Sequence, residues 1–311
     1  MTQNIPLAIA LGVLASLGFA LGATLQHTGV DRVVGKPGGD RMLTFERVLA
    51  MLKTPIWLLG TLFIAVGAGF HLLGVSLAPV TVVQPVGILA VPFSVLLAAK
   101  KNHSRPTRGV VLAIIVAIVG IVAFTFFSSR SAAQDTLIDM SDVLVASLVI
   151  CGGAVVFVVL ALKGPVGSKC LAWATAGAFL YGLATALMKT TLELFHQGQE
   201  KPIMFWLTLG GLLTCYGVGA WFIQQAYASG PAEIVVGSMT VIDPLIAVAF
   251  GITVLGEGRN IDTVSAVAMV LTGALAAWGV ILLSKYHPDA AKAFEQEPDA
   301  PAGGIMEGRT R

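Results

Sequence analysis

Charge is what this chain has least of. Only 12% of its 311 residues are Asp, Glu, Lys or Arg, against 56% hydrophobic, where a soluble domain carries about 25% charged residues. A chain this poor in charge cannot cover a water-facing surface, and with a mean hydropathy of +0.86 it is read as an all-α polytopic membrane protein. Cysteine is scarce as well. Cys151, Cys170 and Cys215 fall in or beside apolar runs without paired spacing, which argues against a disulfide framework and predicts free, inert thiols. Phosphate loops, paired metal-ligand motifs and nucleophile elbows are missing. An enzyme is therefore not expected, nor a cofactor, nor ATP-driven transport by this chain alone, and nothing points to nucleic acid. The first apolar run also lacks a basic leader and a small-residue cleavage pattern, so it reads as a retained span rather than a signal peptide.

What the chain does have is apolar runs of membrane-crossing length. Nine are expected: Ile5 to His27, Ile56 to Leu77, Val80 to Ala99, Gly109 to Phe127, Val143 to Leu162, Leu171 to Leu194, Ile203 to Tyr227, Ala232 to Leu255 and Ile261 to Ser284. Fifteen of the nineteen Lys and Arg fall in the first, third, fifth and seventh loops and the C-terminal tail. By the positive-inside rule the N-terminus is outside and the tail inside a cytoplasmic membrane. In the long first loop, Asp40 to Thr54 spaces Met42, Phe45, Leu49 and Leu52 at helical intervals among Arg41, Arg47 and Lys53. This is either an interfacial helix on the inner leaflet or a charged connector.

The most informative stretch is Gly230 to Leu255, which carries Asp243 in the middle of an apolar run. Its 24 residues from Ala232 to Leu255 would span about 36 Å as a helix, placing the carboxylate near the membrane midplane. An acid there costs about 3 kcal/mol on insertion scales, so it is read as part of a substrate or ion pathway. Pro244 follows. Its ring cannot donate to the Thr240 carbonyl, so the helix is expected to break there, with Thr240 joining Asp243 as a candidate for substrate or proton binding.

The chain also repeats itself. Pro79 to Pro92 and Pro231 to Pro244 have the same spacing, and each pair follows a glycine-bearing span, with Gly67 and Gly69 in one and Gly217 and Gly219 in the other. Spans two to four match spans seven to nine at an offset near 152, and span one matches span six near 162, which pairs Phe19 with Tyr181. Equivalent spans lie five apart, an odd number, so the halves are oppositely oriented. Such an inverted repeat is a plan of secondary transporters, with binding at the repeat interface and broken helices lining it. The halves are 1–128 and 169–284, joined by a connecting fifth span in 129–168, and 285–311 reads as a disordered cytoplasmic tail.

Further candidates follow from this register. Gln84, beside Pro85, corresponds to Val236, seven residues before Asp243 on the same helix face, so Gln84 and Asp243 would line one cavity; alternatively Gln84 makes a helix-to-helix hydrogen bond. His71 is a proton-relay or a packing residue. Lys189 either pairs locally with Glu193 or opposes Asp243 or an anionic substrate. Glu233 complements the dipole of its helix or gates the cytoplasmic mouth, and Gln26, Gln224 and Gln225 are weaker candidates at the same end. Pro85, Pro92 and Pro244 are the expected helix breaks.

The elements LASLGFALGATLQHTGV, AGFHLLGVSLAPVTVVQPVGILAVPFSVLLAAK and AFLYGLATALMKT resemble the drug/metabolite transporter superfamily, and within it the NIPA magnesium-transporter branch. The Ala-Pro-x-Thr-x-Val-x-Pro run of that branch is matched by Ala78, Pro79, Thr81, Val83 and Pro85. In the second half Gly237 replaces the corresponding proline and Pro231 to Glu233 the Asn/Thr/Ser-rich start. The resemblance implies a secondary transporter moving a small solute or metabolite by alternating access, with a magnesium conduit as the alternative. An apolar wall of Val236, Met239, Ala247 and Phe250 keeps a lipid-like substrate open, and a non-transporting membrane subunit is a further reading. The expected partners are the bilayer and a small-molecule, ion or lipid-like substrate, with a homodimer compatible. No metal ligands are assigned.

Overall fold

The computed structural model describes residues 5–34, 42–77, 86–101, 103, 105–131, 139–196, 202–256 and 261–286. All secondary structure among them is helical: α1 (Ile5–Val34), α2 (Phe45–Met51), α3 (Pro55–Leu77), α4 (Ala90–Lys101), α5 (Arg108–Ser131), α6 (Met140–Lys163), α7 (Val166–His196), α8 (Pro202–Ser229), α9 (Ala232–Thr253) and α10 (Thr263–Tyr286). Seven of these, α1 and α5 to α10, are long and apolar enough to cross a membrane, and an eighth crossing is reached if the bent pair α2–α3 counts as one span. The chain is therefore built as a polytopic membrane protein. The ninth expected run, Val80 to Ala99, is only partly described: a helical turn at Val86–Leu89 leads into α4, whose 12 residues reach about 18 Å, short of a hydrocarbon core.

Local chemistry sets the helix ends. Thr44 caps α2 by accepting from the Arg47 N–H at 3.4 Å. Asp139 caps α6, accepting from both the backbone and the hydroxyl of Ser141, and those bonds hold its carboxyl below the usual carboxylate range. Asp262 does the same for α10 through Ser265 N–H at 2.6 Å. The Asp40 to Thr54 stretch thus contains a short capped helix, and α2 meets α3 at a bend of 77°.

In a bilayer, helices associate by close van der Waals packing rather than by escape from water, which favours small residues at crossings. The most extensive pairings are α1 with α3, α5 with α10, and α7 with α8 and α9; α4 touches α1 and α9. At the first crossing a β-carbon on Gly67 would meet the Ala15 carbonyl at 3.0 Å and the Phe19 ring at 3.2 Å. At the α7–α8 crossing one on Gly219 would meet the Gly177 carbonyl at 3.4 Å and the Tyr181 ring at 2.7 Å. α7 is the central helix, buried over most of its apolar length, whereas α6 packs chiefly on α7 and turns Leu144, Leu148, Val155 and Val159 outward.

Candidate functional site: a carboxylate between α7, α8 and α9

Asp243 sits near the middle of α9 with Pro244 inside the helix. The helix continues across the proline, but Pro244 has no N–H for the Thr240 carbonyl, and the Thr240 hydroxyl donates back to Val236 O at 2.7 Å. On the facing helix α7, the Thr185 hydroxyl donates to Asp243 Oδ1 at 3.4 Å. Gly182 makes that approach possible: a β-carbon there would lie 2.7 Å from the Asp243 carbonyl oxygen and 2.6 Å from Ile246 Cβ.

Two tyrosines complete the surroundings. Tyr181, one turn before Thr185 on the same face of α7, packs its ring 5.4 Å from that of Tyr216 on α8 at 60°. Both phenols lie within electrostatic reach of the Asp243 carboxylate. Asp243 is half-buried, and Tyr216, 40% exposed, stands at the rim. Among the described residues no Lys, Arg or His pairs with this carboxylate. One long hydroxyl bond contributes about 1 kcal/mol, less than a carboxylate loses on leaving water for a membrane interior.

The other sequence candidates lie elsewhere. His71 lies against Phe19 within the α1–α3 unit, the rings tilted at 56° with centroids 6.5 Å apart, and forms no ion pair with Asp243 among the described residues. Gln84 and Pro85 lie outside the described residues, as does the Glu193 side chain. Lys189 is exposed, one turn beyond Thr185. Pro92 stands just after an interruption of the helix at Ile88–Leu89, the positions four and three residues before it. It occupies the first turn of α4, where a missing N–H costs little, and the Ile88 carbonyl accepts from Val91 N at 3.0 Å. Glu233 is 4% exposed in the first turn of α9, near the buried Cys170 and Tyr227. The three cysteines are free thiols, two of them buried.

Gln26 and Gln224, at the other end of α1 and α8, form one construction. Gln26 donates to Thr61 Oγ1 at 3.0 Å, Thr61 to Trp57 O at 3.1 Å, the Trp57 indole to Gln224 Oε1 at 3.1 Å, and Gln224 back to Gln26 Oε1 at 3.1 Å. This closed circuit ties α1, α3 and α8 together. Beside it Gln225, 1% exposed, accepts from Leu43 N at 2.9 Å and donates to Leu43 O at 2.7 Å.

Thr185 and Tyr216 were not singled out by the sequence, and Tyr181 appeared only as the counterpart of Phe19. Their signal is weak in isolation. A hydroxyl or phenol in an apolar run is common, and only its distance to an acid on another helix gives it a role.

No group of three or more His, Cys, Asp or Glu side chains that could hold a metal ion occurs among the described residues. No family model matches the chain, and no solved structure matches it. The chain is similar to an uncharacterized protein of Corynebacterium glutamicum, 25% identical over 260 residues that cover 83% of this chain and 87% of that protein. That relative carries no assigned activity, and the functional reading rests on the geometry of the site.

Proposed function

We infer that the chain is a secondary transporter of the drug/metabolite type: nine spans, N-terminus outside and tail cytoplasmic, two inverted halves and a central site at Asp243 that binds a proton or a cationic group in exchange for substrate. The observation that carries this reading is a carboxylate at mid-span, faced by Thr185, Tyr181 and Tyr216 and by no basic side chain among the described residues. A purely structural acid would be expected to have a matched partner.

The repeat is supported by an equivalence of contacts. Gly67 against Ala15 and Phe19 corresponds, residue by residue, to Gly219 against Gly177 and Tyr181, at the offsets of 152 and 162 that the sequence spacing gives. The self-contacts of such a symmetry, α4 with α9 and α5 with α10, are also present. The turn before α4 suits the interrupted helices of inverted-repeat transporters, while α9 runs on through Pro244 with one backbone bond missing.

A magnesium conduit is less well supported, because a hard dication wants several oxygen ligands and no second carboxylate joins Asp243 among the described residues. The test is ligand-induced thermal stabilisation of the purified protein with magnesium, small organic cations and neutral solutes, since anything bound to the folded state alone stabilises it. Stabilisation by a cationic or cation-exchanged solute that disappears in Asp243→Asn supports the reading. Stabilisation by magnesium alone would replace it with the conduit.

A further inference from the structure

The segment Met42–Thr54 has two unlike faces. Leu43 and Met51 are buried in the main core, while Met42, Phe45, Leu49 and Leu52, at intervals of three, four and three, face outward, Phe45 with 70% of its surface exposed. The 77° bend to α3 lays α2 nearly flat in the membrane plane when α3 crosses it. Arg47 and Lys53 flank the outward ridge, and the Arg47 guanidinium donates to Met42 O at 2.8 Å, bracing the turn that presents Met42 and Phe45. On the inner face the Gln225 amide grips the backbone of Leu43, 182 residues away, through both its N–H and its carbonyl. The grip stands beside the closed circuit of Gln26, Thr61, Trp57 and Gln224, where α1, α3 and α8 end.

We propose that Met42–Thr54 is a strap across the cytoplasmic end of α1, α3 and α8, its outer ridge seated in an anionic inner-leaflet surface, and that release of Leu43 by Gln225 opens that end toward Asp243. This rests on the transporter reading and on the cytoplasmic placement of the first loop. Lipid is the occupant because the ridge is an apolar comb with basic flanks, the pattern of a helix lying in the headgroup boundary. The loops assigned to that side also hold most of the basic residues of the chain, which complements anionic headgroups. The clasp suits a gate: a side-chain amide satisfies both polar groups of one peptide unit, so it closes without a charge and is remade whenever the two surfaces meet again.

The experiment uses the full chain with its native cysteines replaced by alanine, reconstituted in phosphatidylcholine vesicles and in vesicles where phosphatidylglycerol replaces a third of the lipid. A nitroxide at Leu49→Cys reports the ridge, and a Thr185→Cys reporter is labelled from the tail side with an impermeant maleimide. The nitroxide should be quenched by oxygen rather than by a water-soluble nickel chelate, most strongly in the anionic vesicles. Gln225→Leu should raise the labelling rate about tenfold, the worth of the lost hydrogen bonds, and omitting phosphatidylglycerol should raise it several-fold in the otherwise unchanged chain. If Gln225→Leu does not fold, Gln225→Asn, whose amide sits one methylene closer to the backbone, takes its place. A nitroxide exposed to the chelate in both lipids, or immobilised against a co-purified protein, overturns the lipid seat; labelling indifferent to Gln225 overturns the gate. Flux is measured in the chain without the Thr185→Cys reporter; labelling needs no substrate, so a strap that opens without Asp243-dependent flux leaves the strap and removes the transporter, and flux with unchanged labelling does the reverse.

Discussion

Gly182→Ala is the change that most directly probes how the Asp243 site is held. The added β-carbon would stand 2.7 Å from the Asp243 carbonyl oxygen and 2.6 Å from Ile246 Cβ. The first is backbone and the second the branch point of a stiff side chain, so neither can swing aside. Ordinary contact needs about 3.5 Å or more, and α7 and α9 must therefore separate by roughly 1 Å, an overpacking that costs about 1–3 kcal/mol. The Thr185–Asp243 bond is already 3.4 Å long, and with that separation it ceases to be a hydrogen bond. Gly182→Ala should then lower thermal stability in detergent and weaken ligand stabilisation at the same time. Gly152→Ala on the periphery of α6, where a β-carbon meets nothing within 4 Å, is the control and should change stability by less than about 0.5 kcal/mol. A Gly182→Ala protein as stable as the control, with ligand binding intact, would refute the close crossing and the geometry built on it.

Thr185→Val keeps the shape and removes the hydroxyl, so affinity for the cationic partner should change several-fold, about 1 kcal/mol, with stability little altered; calorimetric titration reads it. Pro244→Ala restores a donor to the Thr240 carbonyl and re-aims Asp243, and it should reduce turnover more than stability, whereas Pro92→Ala, in the first turn of α4, should leave both near normal. Equal transport by the two variants would count against a functional break in α9. Cysteine accessibility should place Gly38 and Gln134 on opposite sides of the membrane; labelling from one side would remove the inverted repeat.

The membrane class and the place of an acid inside an apolar helix were legible because each is a contrast within one stretch of sequence: long apolar runs against few charges, and one carboxylate against its apolar neighbours. The glycine and aromatic register was legible too, since Phe19 and Tyr181 were paired by spacing and each ring packs against a glycine, Gly67 and Gly219, 152 positions apart. What escaped is what depends on a partner far along the chain. Gln225 meets Leu43 across 182 positions, and Thr185 and Tyr216 gain meaning only from the fold that brings α7, α8 and α9 together. Pro92 and Pro244 match in spacing but not in outcome: the chain turns at Ile88–Leu89, three to four residues before Pro92, whereas α9 runs on through Pro244.

The most direct measurement of the central claim is proton or cation flux driven by substrate in vesicles holding the purified protein, compared among the wild type, Asp243→Asn and Asp243→Glu. Exchange at Asp243 predicts flux that requires substrate, is lost in Asp243→Asn and returns in part in Asp243→Glu. Flux of the same size in Asp243→Asn would contradict the account.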